Sequence, residues 1–269
     1  MRHLAIVSAI FMSSSTLTPS PHHQLIRTIM SKTFLVLVAA LASAGAFADS
    51  IDAPSYKTGD TWVYQGTVEK GPNDFAQSRV EVAIVRATAS TLYYTSKTSG
   101  APQAPRELIS GIDWSRMRNV NGKEIVVNRP LAFPLTAGKS WNIQYSEQQP
   151  NKDHKLEQWS TTYTVVGTEP IEVPAGKFTA IKIEAEGTWV AELEPKSTVV
   201  QGAQSSATGT TMVTQVQKPV SATATGRTYK AFWYVPAIKR WVKSVEEYYS
   251  ASGQRTERYT DELVSFRQE

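Results

Sequence analysis

From Ala180 to Glu186 the chain alternates without a break: Ile181, Ile183 and Ala185 fall on one side, Lys182, Glu184 and Glu186 on the other. A period of two is the period of an extended strand, whose successive side chains point to opposite faces. One apolar and one charged face describe a strand that buries one side and wets the other, the pattern of an antiparallel sheet. The residues before it complete a hairpin. Residues 164–166 lead to 171–173, and Pro174-Ala175-Gly176 turns the chain. Pro presets the first dihedral of such a turn and Gly tolerates its last position.

The same signature recurs along the chain. Residues 61–68 mix Trp, Tyr and Val with Thr, and 79–87 set Val80, Val82 and Ile84 against Glu81, Ala83 and Val85. Further β-branched and aromatic runs occupy 91–96, 124–128, 140–146, 158–169 and 257–266. Two strongly aromatic runs, 229–235 and 240–249, are separated by Pro236. Helical periodicity is almost absent, so the expected class is all-β: a single curved antiparallel sheet or an open β-barrel. Gly59-Asp60-Thr61-Trp62 is echoed by Gly138-Lys139-Ser140-Trp141, each placing a Trp at the first buried position of a strand. Between Trp189 and Tyr229 there is no aromatic residue, and 197–228 is mostly Ser, Thr, Ala, Gln, Gly and Val. That stretch reads as a low-complexity insertion, either a long excursion or a weakly packed hairpin.

Before the strands comes a leader. Met30-Ser31-Lys32 precedes an apolar run ending at Leu41, and small residues follow to Ala46-Phe47-Ala48. A basic start, about ten apolar residues and a small-x-small exit describe a secretory signal peptide cleaved before Asp49. The run is shorter than the roughly 20 residues of a membrane span. Residues 1–29 read as an upstream extension of a chain whose translation starts at Met30, and 49–269 as a single β-rich domain. The expected location is periplasmic or secreted. No cysteine is present, which excludes disulfides, thiol catalysis and a lipid-bearing cysteine after the leader. The formal charge of +4 falls to +1 once Arg2, Arg27 and Lys32 leave with the leader. With no Lys/Arg block either, nucleic acid is not an expected partner.

The series Pro134-Leu135, Gly138, Trp141, then Val166-Gly167, Glu169, Ile171, Val173-Pro174-Ala175-Gly176, Phe178, Ala180 and Lys182-Ile183, then Trp233-Tyr234, Pro236 and Val242-Lys243 resembles a family of secreted bacterial β-proteins of unknown function, the TapB-like proteins. The resemblance covers roughly residues 133–249. It implies a periplasmic, mostly antiparallel curved sheet or open barrel, and it carries no catalytic residues.

Chemistry is sparse. His3, His22 and His23 precede the expected cleavage, leaving His154 in the polar run Pro150-Asn151-Lys152-Asp153. It reads as an exposed loop residue. Asp153, His154 and Glu157 make a weak metal pattern opposed by Lys152 and Lys155, so neither a metal nor a cofactor is expected. Glu184/Glu186, Glu192/Glu194 and Glu246/Glu247 are paired carboxylates, the first two pairs spaced for one strand face. A glycosidase needs two carboxylates about 5–10 Å apart across a cleft, but solvated outward glutamates explain the spacing. No catalytic residue is assigned. What remains is aromatic: Trp62, Trp114, Trp141, Trp159, Trp189, Trp233 and Trp241. Such residues fill the core of a curved sheet or line a binding surface. Trp141, Trp233 and Trp241 are the expected ligand-facing set. The expected partners are an apolar small molecule, a lipid or an envelope protein, with a carbohydrate-binding or glycan-processing protein as the alternative and a structural or stress-related envelope protein acting through a protein partner as a third.

N-terminal sequencing of the protein exported from a bacterial host is expected to begin at Asp49. An exported product beginning at Met1 or Met30 would overturn the leader assignment.

Overall fold

The computed structural model describes residues 50–71, 73–194, 196–205, 211–220 and 222–269. The expected extension and leader lie outside the described residues. In chain order the strands are β1 Thr61–Lys70, β2 Asp74–Ala87, β3 Thr91–Thr98, β4 Arg106–Gly111, β5 Arg116–Val120, β6 Lys123–Asn128, β7 Ser140–Gln148, β8 His154–Val173, β9 Gly176–Leu193, β10 Lys196–Ser205, β11 Thr211–Val220, β12 Thr223–Val235, β13 Arg240–Ser250 and β14 Arg255–Arg267. Ten of them form one antiparallel sheet in the order β4-β3-β2-β1-β14-β13-β12-β9-β8-β7. The sheet does not close into a barrel; β4 and β7 are its edges. Two meanders, one from each half of the chain, meet along the β1–β14 ladder, which runs from Thr61 opposite Arg267 to Lys70 opposite Glu257.

The alternation read from the sequence sets the two faces. Trp62 and Tyr64, Val82 and Ile84, Leu92, Tyr163 and Val165, Ile181, Ile183 and Ala185, Phe232 and Tyr234, Val242 and Leu263 are buried. This is the inner face. The connecting segments fold back over part of it and bring Tyr56, Trp114, Leu131, Leu135 and Ile238 into the same cluster. Ile51 and Leu135 pair through both backbone hydrogen bonds, at 2.9 and 2.8 Å, which closes this cover. Burying such side chains contributes roughly 1.5–3 kcal/mol each.

The sequence reading left β4 and β5 unassigned and allowed a weakly packed hairpin as one alternative for the stretch that holds β10 and β11. Of the expected insertion, Lys196–Ser205 and Thr211–Val220 pair as a hairpin, while Thr223 onwards already belongs to β12. The β5–β6 hairpin guards the β7 edge. Asn121 at its turn donates its side-chain amide to Ser146 O and accepts from Gln148 N, both at 2.9 Å. A side-chain amide thus takes the place of a neighbouring strand, where a bare edge invites pairing with another chain.

Among the described residues the most deeply buried charge is Asp60, with no exposed surface. Lys239 adopts the left-handed conformation (φ 62°) after a single 3-10 turn, Pro236–Ile238. Its ammonium reaches Asp60 at 2.8 Å, and the backbone N–H groups of Lys57 and Glu269 donate to the same carboxylate at 3.0 Å each. Burial by itself pushes the Asp60 pKa up; these three donors outweigh it and hold the carboxyl below its ordinary value. Next along the chain, Arg240 lies 3.6 Å from the Trp114 ring centre and 4.4 Å from that of Trp241, with Tyr64 and Trp62 at 5.5 and 5.7 Å. Its Nε and Nη1 atoms are buried without a hydrogen-bond partner among the described residues. Aromatic faces solvate this cation in place of water.

Replacing Asp60 with Ala strands the Lys239 ammonium and two N–H groups, and is expected to cost about 3–5 kcal/mol in urea unfolding at neutral pH. A depressed carboxylate stabilises the fold fully above its unfolded pKa and loses that contribution as pH falls through the lower folded value. The gap between wild type and D60A is therefore expected to shrink below about pH 4. A gap that is constant down to the acid transition would overturn the assignment.

Candidate functional site

Beyond the covered half of the inner face the same strands continue, but their inward side chains change character. Ser244 stands opposite Asp261, Glu246 opposite Tyr259, and Tyr248 opposite Glu257. On the other flank Glu246 faces Lys230, which donates to it at 3.2 Å and is itself buried. Further toward β7 the inward residues are aromatic. Trp189 lies opposite Trp159, and Trp159 opposite Tyr145.

These rings form a row across three strands. Tyr145 and Trp159 are stacked with centres 6.1 Å apart and planes 11° from parallel. Trp159 and Trp189 follow at 6.0 Å and 30°, and His154 stacks on Trp189 at 6.0 Å and 29°. The row is held from below. Gly226 on β12 lies opposite Trp189, and a Cβ there would meet the indole Nε1 at 2.5 Å and Tyr249 O at 2.7 Å. Only glycine lets the indole lie against the β12 backbone.

The row is also held from the side. Glu157 is buried and accepts from the His154 ring Nδ1, from Trp159 Nε1 at 2.8 Å and from Asn151 Nδ2 at 3.4 Å. Asn151 in turn accepts the backbone N–H groups of Asp153 and His154 at 2.9 and 3.0 Å. A carboxylate at Nδ1 fixes the imidazole tautomer and leaves Nε2 as the available nitrogen. No described group bonds Nε2. His154 is therefore a half-buried residue at the start of β8 and not the exposed loop residue expected, because Glu157 three positions on faces back toward it.

Two cavities open along this surface. One, of about 430 Å³, is bordered by His154, Glu157, Trp159, Trp189, Tyr248 and Glu257. The second, of about 410 Å³, is bordered by Ser244, Glu246, Tyr248, Glu257, Tyr259 and Asp261. Tyr248 and Glu257 border both, so the cavities form one groove. Asp261 faces its solvent, yet crowding by protein strips away enough water to raise its pKa, with Arg240 opposing. The hydrogen bond to Glu257, followed by burial, raises Tyr259 to about 12, and burial with Glu246 nearby raises Tyr248. Both phenols are neutral donors at physiological pH.

The three tryptophans singled out from the sequence stand apart from this groove and from one another. Trp141 stacks on Tyr163 at 5.4 Å and donates to Arg129 O at 2.9 Å, where the core ends. Trp241 packs edge-on against Trp114 and Phe232 at the Arg240 cage. Trp233 is on the outer face, bonded to Glu169 at 2.5 Å beneath Lys182. Of the paired carboxylates, Glu184 points outward and accepts from Lys182 and Tyr229, both at 2.8 Å, whereas Glu246 points into the groove and Glu247 away from it. Among the described residues no cluster of His, Asp and Glu is arranged to hold a metal ion.

No protein-family model and no curated protein matches the chain. Two solved structures are similar to it. A Bacteroides fragilis protein, described as exported and of YmcC-like fold, is 12% identical with a TM-score of 0.41, covering 82% of this chain and 100% of its own. A Parabacteroides distasonis protein described as a lipoprotein is 14% identical with a TM-score of 0.41, covering 81% of this chain and 100% of its own.

Gly226→Ala is expected to displace Trp189 and to cost about 1–3 kcal/mol through overpacking. A red-shifted tryptophan emission and a lower urea midpoint would report it. A variant indistinguishable from wild type in both would refute the close contact.

Proposed function

We propose that this chain is an exported binding protein that holds a hydroxyl-rich, carbohydrate-like ligand in the groove between Trp159 and Tyr259. The observation that carries this reading is the division of the inner face. The sequence pointed first to an apolar small molecule or a lipid as the partner. The apolar half of the sheet is already filled by the chain's own Tyr56, Trp114, Leu131 and Leu135. What stays open combines aromatic rings with carboxylates and phenol hydroxyls. That mixture suits a sugar, whose C–H faces pack on indoles and whose hydroxyls donate to the carboxylates and to the phenol oxygens. It suits an acyl chain poorly, since a chain would bury Glu257 and Tyr248 against hydrocarbon without replacing their hydrogen bonds to water.

The division of labour follows from the geometry. Trp189, braced on Gly226, and Trp159, fixed through its Nε1–H to Glu157, are rigid platforms that lose little entropy on binding. Tyr248 and Glu257 stand where the two cavities join, so a ligand longer than one sugar ring would cross them. Periplasmic or extracellular glycans are the ligands available to a protein exported by the expected leader.

The test is a glycan array probed with the purified exported protein, followed by titration of any hit. Trp189→Ala is expected to weaken binding about tenfold or more, as removal of a central aromatic anchor does, with Trp233→Ala on the outer face close to wild type. No glycan bound, together with a lipid adduct in native mass spectrometry, would overturn the proposal.

A further inference from the structure

The hydrogen-bond donors of the groove are largely spent within the protein. Trp159 Nε1 donates to Glu157 at 2.8 Å, Tyr248 OH to Glu246 at 3.3 Å, Tyr259 OH to Glu257, and Tyr249 OH at the rim to Glu247 at 2.5 Å. Ser244 Oγ donates to Asp261 at 3.4 Å and Thr256 Oγ1 to Tyr248 O at 3.1 Å. The ammonium of Lys230 is divided between Glu246 at 3.2 Å and Asn128 at 3.4 Å. Trp189 turns its Nε1 toward the β12 backbone at Gly226. His154 gives its Nδ1 proton to Glu157, so the neutral ring offers Nε2 as a lone pair.

What stays open is accepting capacity, on three carboxylates around Tyr259. Glu246 stands opposite that phenol, and Glu257 and Asp261 lie two residues to either side of it on the same face of β14. Every second residue advances roughly 6.6 Å along a strand, so the three acids frame one ring. Asp261 is the least compensated of them. Its carboxylate receives Ser244, no ion pair reaches it among the described residues, and Gly66 opposite it on β1 has no side chain to cover it. Arg240 acts on it only through space, its own guanidinium lying against the aromatic cage. Lys70 is 3.8 Å from Glu257 with half of its side chain in water, a pairing that solvent screens. Between these acids Tyr248 and Tyr259 meet edge to face at 6.0 Å and 84°, and ring faces attract cations.

We propose that the ligand of this groove is an amino sugar bearing a free, protonated amine, an inference that rests on the carbohydrate reading above. An ammonium carries three donors and no acceptor, the complement of open carboxylates among spent donors. Its place is beside Asp261 and Glu257, against the Tyr248 and Tyr259 rings, while the same or the next sugar ring packs on Trp189 and Trp159. A neutral sugar matches less well, because each hydroxyl accepts as well as donates and its accepting side finds few unspent donors. An N-acetylated sugar matches least: its amide oxygen needs a donor, and its nitrogen has lost the charge. Acidic sugars meet like charge.

The test is isothermal titration of the exported protein with a β-1,4-linked glucosamine tetramer, its N-acetylated counterpart and the glucose tetramer of the same linkage, at about pH 6, where carboxylates are ionised. The glucosamine tetramer is expected to bind at least about tenfold more tightly than the other two and to lose that lead in high salt. Asp261→Asn and Glu257→Gln are each expected to weaken it about tenfold, as loss of a charged hydrogen-bond partner does, and to narrow its lead over the glucose tetramer. Equal affinity for the glucosamine and glucose tetramers would overturn the amino-sugar inference and leave the carbohydrate reading standing. Spermine bound as tightly as the glucosamine tetramer would overturn it too, by showing attraction to cations of any shape. Glucosamine binding untouched by both substitutions would put the amine elsewhere and defeat the assignment. No binding of any tetramer would remove the carbohydrate reading and this inference with it.

Discussion

Two consecutive cations, Lys239 and Arg240, hold the covered half of the sheet together. Burying them is costly unless each meets a compensating partner. Lys239 meets one in Asp60, just before β1, and the same carboxylate collects the backbone of Glu269 beyond β14. Arg240 meets four aromatic rings drawn from β1, from β13 and from the segment carrying Trp114. The β1–β14 seam between the two meanders is thereby fastened at one end by an ion pair and a cation–π cage. Further hydrogen bonds tie in the covering segments: Trp114 Nε1 donates to Tyr56 OH at 2.9 Å, and Tyr56 OH to Lys239 O at 2.9 Å. Trp62 Nε1 donates to Ile238 O at 2.9 Å. Without the 3-10 turn that brings Lys239 round, neither cation would face its partners.

A sheet fastened at one end is free to use the other. Strand for strand, the inward positions pass from Val242 through Ser244 and Glu246 to Tyr248 on β13, and from Leu263 through Asp261 and Tyr259 to Glu257 on β14. The same two ladders therefore serve packing near the cage and polar contact in the groove. Only the cover, which ends with the segment around Leu131 and Leu135, separates the two uses. Rigid strands are a better base for such a surface than loops, because the register fixes where each side chain stands.

The alternation of Ile181, Ile183 and Ala185 located the inner face correctly because burial of one face is what selects that pattern. The partition of tryptophans between core, outer face and groove was not legible in the same way, and for Trp159 the reason is a single residue. Counted back from the Val173–Gly176 turn, Trp159 falls opposite Val190. Between Val165 and Gly167 the β8–β9 register shifts by one residue, and Trp159 arrives opposite Trp189. Gly167 has a φ of 153° and supplies the bulge. A slip of one residue exchanges the faces of everything beyond it. The glycine was visible in the sequence, but nothing local distinguishes a bulge from an ordinary weak point in a strand.

His154 was hidden for a related reason. Its neighbours Lys152, Asp153 and Lys155 are those of a solvated turn. What buries it comes from elsewhere: Trp189 from the partner strand, and Glu157, which β8 places on the inner face. A buried carboxylate accepting from an imidazole, an indole and an amide is expensive to maintain, since each donor could have been left to water at the rim of the sheet. Core packing gives no reason for it, because the apolar cluster ends with Tyr163 and Trp141, short of Trp159. The arrangement makes physical sense as a fixed frame for the two indoles above it. The two rings are thus fixed at the solvent end of a sheet whose other end is fastened by the Asp60–Lys239 pair and the Arg240 cage.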